Sequence, residues 1–266
     1  MISEYNLMVP LPKKENFKKK VLEYAISNKL GLEMQAFVDP NDFSTKKKEL
    51  NRVEEYKKTL DKFPNFYSIH GPIFDIKPHA VDREILKIVK KRVETTLSVA
   101  KKINCRRVIF HTGYNPLISA ERQMEYILDA QVKFWTDILS KYEEITICLE
   151  NMWDFTPVFL KLLVENVNSK RLGICLDIGH LNVYNKTRID IWFEELKEKI
   201  NHLHLHDNNG MTDEHLAIGN GNVKWQNIFD NIESLKTNPE AVIEVDSEDK
   251  FYASMKYLKQ NNFLKR

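Results

Sequence analysis

Four histidines and two aspartates fall within the sixteen residues Ile200–His215, INHLHLHDNNGMTDEH. In an extended strand His202, His204 and His206 share one face and Leu203 and Leu205 the other, because side chains alternate with a period of two. Asp213 and His215 follow after a short Asn/Gly loop. Neutral imidazole together with carboxylate is the ligand set of zinc and related divalent ions. Taken alone, the stretch fits equally well a polar strand end whose histidines are hydrogen-bonded.

The elements that must position these groups repeat along the whole chain. Short apolar runs predict strands at Glu4–Val9, Leu30–Phe37, Asn65–His70, Arg106–His111, Ile145–Glu150, Leu172–Asp177, Ile200–His206 and Ala241–Val245. Amphipathic patterns predict helices at Lys14–Asn28, Ser44–Lys62, Asp82–Ile103, Ser119–Lys141, Thr156–Asn168, Ile189–Lys199, Lys224–Leu235 and Ser247–Gln260. No Pro/Gly/Ser-rich linker or change of composition interrupts them, so one domain over residues 1–266 is expected. Strict alternation implies a parallel sheet, and eight units close a (β/α)8 TIM barrel. An open doubly wound sheet is the alternative. Lys18–Lys20, Lys46–Lys48 and Lys101–Lys102 lie in helical segments and read as solvated outer faces.

From the third strand onward, the residues at or near the strand ends are His70, His111, Glu150, Asp177, His204 and Glu244. All are metal-ligand types, and the C-terminal strand ends of a barrel are where catalytic groups converge. His180, three residues after Asp177, and the Asp213/His215 pair bring the candidates to nine. Nine exceed what one ion requires, so one to three ions fit, or one ion with further groups on the substrate. His70 and His111 precede turns and are also compatible with ordinary satisfied polar roles. Glu150 and Glu244 end the apolar runs TICLE and AVIE, where an uncompensated carboxylate is costly. Cys148 and Cys175 sit two positions before Glu150 and Asp177 and are read as small buried packing residues. His202 is placed one layer below His204, and His79 is read as non-functional. Gly219 and Gly221 precede a helix, where backbone amides could hold an anion such as a sugar phosphate or form an ordinary turn.

Forty basic against thirty-eight acidic residues leave a net charge of +2, which gives no argument for nucleic acid. Three cysteines without CxxC spacing suit a reducing compartment. With no signal-peptide pattern and no long apolar span, a cytoplasmic protein without a membrane partner is expected.

The motifs IHGP, FHTG, CLEN, CLDIGH, HLHD, DEHLAIGNG and IEV occur in the order found in the xylose isomerase-like TIM barrels, which the chain resembles over nearly its whole length. That superfamily includes sugar and sugar-phosphate isomerases and epimerases and the endonuclease IV branch of DNA-repair phosphodiesterases. In the epimerase branch, residues matching Glu150, Asp177, His204 and Glu244 hold one divalent ion, and the two glutamates serve as acid and base. In the endonuclease branch, residues matching all nine candidates hold three zinc ions. The resemblance selects His204 over His206 because the family's ligand stands three positions before an aspartate, here Asp207.

The surroundings depart from the endonuclease pattern. Ile73 stands where an aromatic wedge would follow His70-Gly71-Pro72, Glu150-Asn151-Met152-Trp153-Asp154 replaces an alanine/glycine-rich turn, and Ile178-Gly179 replaces Thr-Cys. Arginines are sparse in the strand-end loops. The resemblance therefore implies a metal-dependent isomerase or epimerase of a sugar or sugar phosphate, using zinc or manganese. Glu150 and Glu244 would exchange protons with an enediolate, and His180 would orient substrate or complete the metal shell. An endonuclease IV-like zinc enzyme acting on abasic DNA is the alternative, and only under it is nucleic acid a partner.

Overall fold

A computed structural model of the chain describes residues 2–3, 6–11, 15–61, 63–118 and 121–265. Eight strands, β1 Leu7–Leu11, β2 Gly31–Met34, β3 Tyr67–His70, β4 Arg107–His111, β5 Thr146–Glu150, β6 Leu172–Asp177, β7 Ile200–Leu205 and β8 Glu240–Ile243, pair in parallel in chain order. Pairing of β1 with β8 closes the barrel, with Leu7 opposite Ala241. The helices are α1 Glu15–Asn28, α2 Lys46–Leu60, α3 Arg83–Lys102, α4 Glu121–Lys141, α5 Val158–Val167, α6 Ile178–Tyr184, α7 Ile189–Leu196, α8 Trp225–Ser234 and α9 Glu248–Gln260. This is the (β/α)8 TIM barrel that the alternation predicts. Ile2–Ser3 and Leu264–Lys265 add a short parallel pair at the two termini.

Parallel strands covered by helices are buried on both faces and so read as nearly continuous apolar runs. Every residue of β1, β2 and β6 is buried accordingly. The helices turn apolar stripes onto this wall, burying Trp135 and Trp192 completely. Helix starts follow capping chemistry: Asp82 accepts from the amides of Glu84 and Ile85, and Ser247 from Lys250.

The differences from expectation are local. The expected starts at Glu4, Lys14 and Ser119 and the expected end at Lys62 lie outside the described residues. The second strand stops at Met34, and Phe37 enters a single 3-10 turn, Ala36–Val38, where its ring stacks 3.8 Å from Phe43. The sixth unit carries two helices, α6 and α7, where one is expected. At seven residues α6 is too short for a periodic apolar stripe to be visible. Its start is fixed instead by Asp177, whose side chain accepts from the His180 amide. Lys18 is not a solvated helix-face residue: it is buried, with its ammonium 2.5 Å from Glu55 of α2.

Register matters most for the site. His111 pairs with Glu150 across β4 and β5, and Asp177 with His204 across β6 and β7. The candidate ligands of neighbouring strands therefore lie at one level of the barrel end.

Candidate metal centre

The C-terminal barrel end brings all nine sequence-selected residues together in two adjoining groups. His70, His111, Glu150 and Asp177 are the last residues of β3 to β6; His204 is the penultimate residue of β7, and Glu244 directly follows β8. All six are buried.

Glu150 is the hub of the inner group. Its Oε1 lies 2.9 Å from His204 Nδ1, and its Oε2 lies 3.1 Å from His70 Nε2 and 3.2 Å from His111 Nε2. His204 Nδ1 is also 3.1 Å from Glu244 Oε2 and 3.7 Å from Asp177 Oδ2. Burial opposes ionisation of Glu150, but His111 and His204 outweigh it and hold the carboxyl well below the usual range. Burial likewise opposes charging of His70, yet the bond to Glu150 raises its pKa to about 9. For His111 burial prevails, and its pKa falls to about 4.

The outer group centres on Asp213. Its Oδ2 is 3.3 Å from His180 Nε2 and 3.2 Å from His215 Nε2, and its Oδ1 is 3.6 Å from His206 Nε2. Asp177 joins the two groups, with Oδ1 3.2 Å from His206 Nε2. His215 adopts the left-handed conformation, φ 46°, which is sparsely populated by non-glycine residues and turns its ring back toward Asp213.

The ring orientations suit ligation. His70 Nδ1 faces the Gly71 carbonyl at 2.8 Å, His180 Nδ1 that of Asn151 at 2.8 Å, and His215 Nδ1 that of Glu244 at 2.9 Å. Each Nδ1–H donates to a backbone oxygen, which turns Nε2 into the site, where an ion would displace its proton, the arrangement by which proteins orient metal-bound imidazoles. Asp177 Oδ2 and Asp213 Oδ1 are buried without a hydrogen-bond partner among the described residues. Buried carboxylate oxygens in that condition are costly unless a cation compensates them. Ligand atoms lie within 4.8 Å of one another in the sets His70/His111/Glu150, His70/His204/Glu244 and His206/Asp213/His215. The donor set therefore fits divalent ions.

Several contributors escaped the sequence reading. Glu33, the third residue of β2, is completely buried, accepts from Ser68 Oγ at 2.8 Å, and lies 3.1 Å from His202 Nε2 and 3.2 Å from His204 Nε2. The logic that marked Glu150, a carboxylate inside an apolar strand, would have marked it too. Gln35 Nε2 donates to Glu244 Oε1 at 2.9 Å. Asn151 exchanges two bonds with the Asp177 backbone, at 2.8 and 3.0 Å, and so fastens β5 to β6 at the site.

The expected lower layer is present. His202 contacts Glu33 and lies 3.7 Å from Glu240, while Cys148 and Cys175 are fully buried, their thiols pushed up in pKa by that burial. The suggested anion cradle at Gly219–Gly221 is corrected. Asp207 occupies it, accepting from the amides of Gly219 at 2.9 Å and Val223 at 3.1 Å and from Trp225 Nε1 at 2.8 Å. The protein's own carboxylate thus takes the place of an external anion.

Residues 25–261 match the family model described as xylose isomerase-like TIM barrel. The chain belongs to that family. Relatives of this xylose isomerase-like barrel include an uncharacterised protein of Methanocaldococcus jannaschii, 31% identical over 176 residues, a match that covers 63% of this chain and 60% of that protein. A probable endonuclease 4 of Mycoplasmopsis synoviae is 27% identical over 258 residues, covering 85% and 89% of the two chains. Among solved structures, a D-tagatose 3-epimerase-like protein superposes with a TM-score of 0.79 at 25% identity, covering 96% of each chain. Among the described residues, no helix of this xylose isomerase-like barrel is long and apolar enough to cross a membrane.

Proposed function

We propose that the protein is a metal-dependent isomerase or epimerase of a sugar or sugar phosphate, with Glu150 and Glu244 carrying the proton. One observation carries the proposal: Glu150 from β5 and Glu244 after β8 approach the same atom, His204 Nδ1, from different strands, at 2.9 and 3.1 Å. Two carboxylates so placed can address opposite faces of one substrate carbon. Glu150, Asp177, His204 and Glu244 would hold the ion, with His70 and His111 beside Glu150.

When bound there, a divalent ion polarises the substrate carbonyl and the neighbouring hydroxyl, which acidifies the intervening C–H. The protein's residues supply the rest. One carboxylate takes the carbon-bound proton, and the other, once protonated, returns one from the opposite side. In the metal-free site His204 and His70 keep Glu150 ionised, the state a base requires. Gln35 holds one oxygen of Glu244 and leaves the other facing the centre. Because Asp207 takes the Gly219 and Val223 amides, that loop gives no reason to require a phosphate on the sugar.

The second reading, a zinc phosphodiesterase acting on abasic DNA, draws on the convergence of His180, Asp213 and His215 and on the endonuclease 4 relative. Variant exchange assays and metal analysis separate the two. Glu150→Gln and Glu244→Gln should each abolish solvent-deuterium incorporation into the sugar, with an exchangeable manganese, cobalt or magnesium at the inner group. Exchange retained in both variants, or three tightly held zinc ions with nicking of abasic DNA, would overturn the proposal.

A further inference from the structure

Nothing in the motifs selects His79, yet the fold builds it into a second cleft at the same barrel end. The cleft has a volume of about 330 Å³, at the lower end of the range for small-ligand pockets, about 300–1,000 Å³. It lies among the loops that follow β3, β4 and β5, and its described wall residues include Lys77, His79, Asn115, Gln123, Tyr126 and Trp153. None of them belongs to the metal centre. Gly113, also on the wall, adopts φ 65°, and a Cβ there would come within 2.3 Å of the Ile76 carbonyl oxygen. Two of the loops therefore meet backbone to backbone, which fixes the shape of the cleft.

His79 is preset as a donor. The Trp135 indole N–H can only donate, so the oxygen of the buried Gln131 amide faces it, at 3.2 Å. Gln131 Nε2 then lies on the other side and donates to the Thr112 carbonyl at 2.8 Å and to His79 Nδ1 at 3.1 Å. His79 Nδ1 is thus an acceptor, and the ring carries its proton on Nε2. That N–H has no partner among the described residues. Burial, with Lys77 nearby, lowers the pKa of His79 to about 4, so the ring is neutral at pH 7.

The aromatic wall is equally uncommitted. Trp153 and Tyr126 are partly exposed, and neither has a ring contact or a hydrogen-bond partner for its polar atom among the described residues. A sugar ring matches such a wall. Its C–H face is apolar and slightly positive, which suits the negative face of an aromatic ring, and its hydroxyl oxygens accept from a fixed N–H. Lys77 is the only charged side chain among the described wall residues, so a neutral ligand fits better than a phosphate. The metal centre is close: residues span at most about 3.3–3.6 Å each, which keeps Gly113 within about 7 Å of His111 and Trp153 within about 11 Å of Glu150. Two linked rings can therefore occupy centre and cleft together.

We propose that the cleft is a second sugar subsite, in which Trp153 and Tyr126 stack on a further ring and His79 Nε2–H donates to one of its hydroxyl oxygens, so that a glycoside binds more tightly than a free monosaccharide. The inference rests on the sugar reading above and narrows its substrate class.

The test is calorimetry on the full magnesium-loaded chain with fructose, fructose 6-phosphate and the ketose disaccharides maltulose, lactulose and isomaltulose. At least one disaccharide should bind at least tenfold more tightly than fructose. It should also shift the emission of Trp153, since Trp135, Trp192 and Trp225 are buried. Trp153→Ala and His79→Phe should each remove that advantage and leave fructose affinity unchanged, while Trp153→Phe, which keeps a stacking face, should retain most of it. Disaccharides that bind no more tightly than fructose, or an advantage that survives either Trp153→Ala or His79→Phe, would overturn the proposal. So would tighter binding of fructose 6-phosphate that is lost in Lys77→Ala, which would assign the cleft to a phosphate. The readout is binding, not proton exchange. Exchange of free ketoses without a disaccharide advantage contradicts the subsite alone, and a disaccharide advantage without exchange contradicts the epimerase reading alone.

Discussion

Replacing Glu33 by Gln isolates the layer beneath the metal centre. The carboxylate is completely buried, and burial by itself would push its pKa up. His204 and His202 overcome that and hold it well below the ordinary value, so it is charged. Its Oε1 lies 3.2 Å from His204 Nε2, on the side of the ring away from Glu150 and Glu244. A carboxylate behind a metal-bound imidazole orients the ring and raises its basicity, and losing such a partner costs about 10- to 100-fold in metal affinity. Since a tenfold change corresponds to about 1.4 kcal/mol, the expected loss is about 1.4–2.8 kcal/mol at the inner position. Gln has nearly the same shape, so packing is retained. Competition between the protein and a chelating dye for manganese or cobalt measures the effect. Ser68→Ala removes only the 2.8 Å hydroxyl donor to Glu33 and keeps the charge, so its affinity should stay within a few-fold of wild type. Wild-type affinity in Glu33→Gln, or an equal loss in Ser68→Ala, would refute a role for the charge.

Three further outcomes follow from the same geometry. Asp207→Ala strands the Gly219 and Val223 amides and the Trp225 indole N–H, and should cost about 3 kcal/mol in urea unfolding, as broken buried networks do, while inner-site metal affinity changes little. In the metal-free protein His70 and His215 each have a pKa of about 9, raised from 6.5. Their pairs with Glu150 and Asp213 therefore stabilise fully below about pH 6.5 and lose that contribution as pH rises through about 9. Bound ions displace those protons, so the gain in melting temperature on adding metal should be larger at pH 9 than at pH 6.5, as thermal melts with and without metal will register. Asp154 is buried with a pKa raised to about 7 by that burial, so folding binds a proton between pH 4 and 7 and stability falls across that window. Asp154→Asn should flatten that fall in a pH series of melts.

The barrel was legible because each strand is a short apolar run and each helix an amphipathic one. The site was legible because a β-strand places its last side chain at a known end, so His70, His111, Glu150 and Asp177 needed only their positions. What escaped depended on partners distant in sequence. Glu33 gains its meaning from His202 and His204, about 170 residues away, as the 169-residue separation of the Glu33–His202 contact shows. His206 read as a weaker candidate than His204 because strand alternation says which face a ring shares but not which atoms surround it; the fold places Asp177 Oδ1 3.2 Å and Asp213 Oδ1 3.6 Å from its Nε2. The two glycines of Gly219–Gly221 gave a real amide cluster, but not that Asp207 would reach it first. Lys18 resembled its exposed neighbours, and its burial came from Glu55 on the next helix.

The proposed activity is exchange of a carbon-bound proton of a sugar at this barrel end. Proton NMR in D2O, with the protein loaded with manganese and removed from it before acquisition, tests it directly against a panel of ketopentoses, ketohexoses and their phosphates. Loss of the C–H signal beside the carbonyl is expected in at least one sugar, at a rate abolished by Glu150→Gln. No exchange in any sugar, together with cleavage of abasic DNA by the zinc-loaded protein, would contradict it.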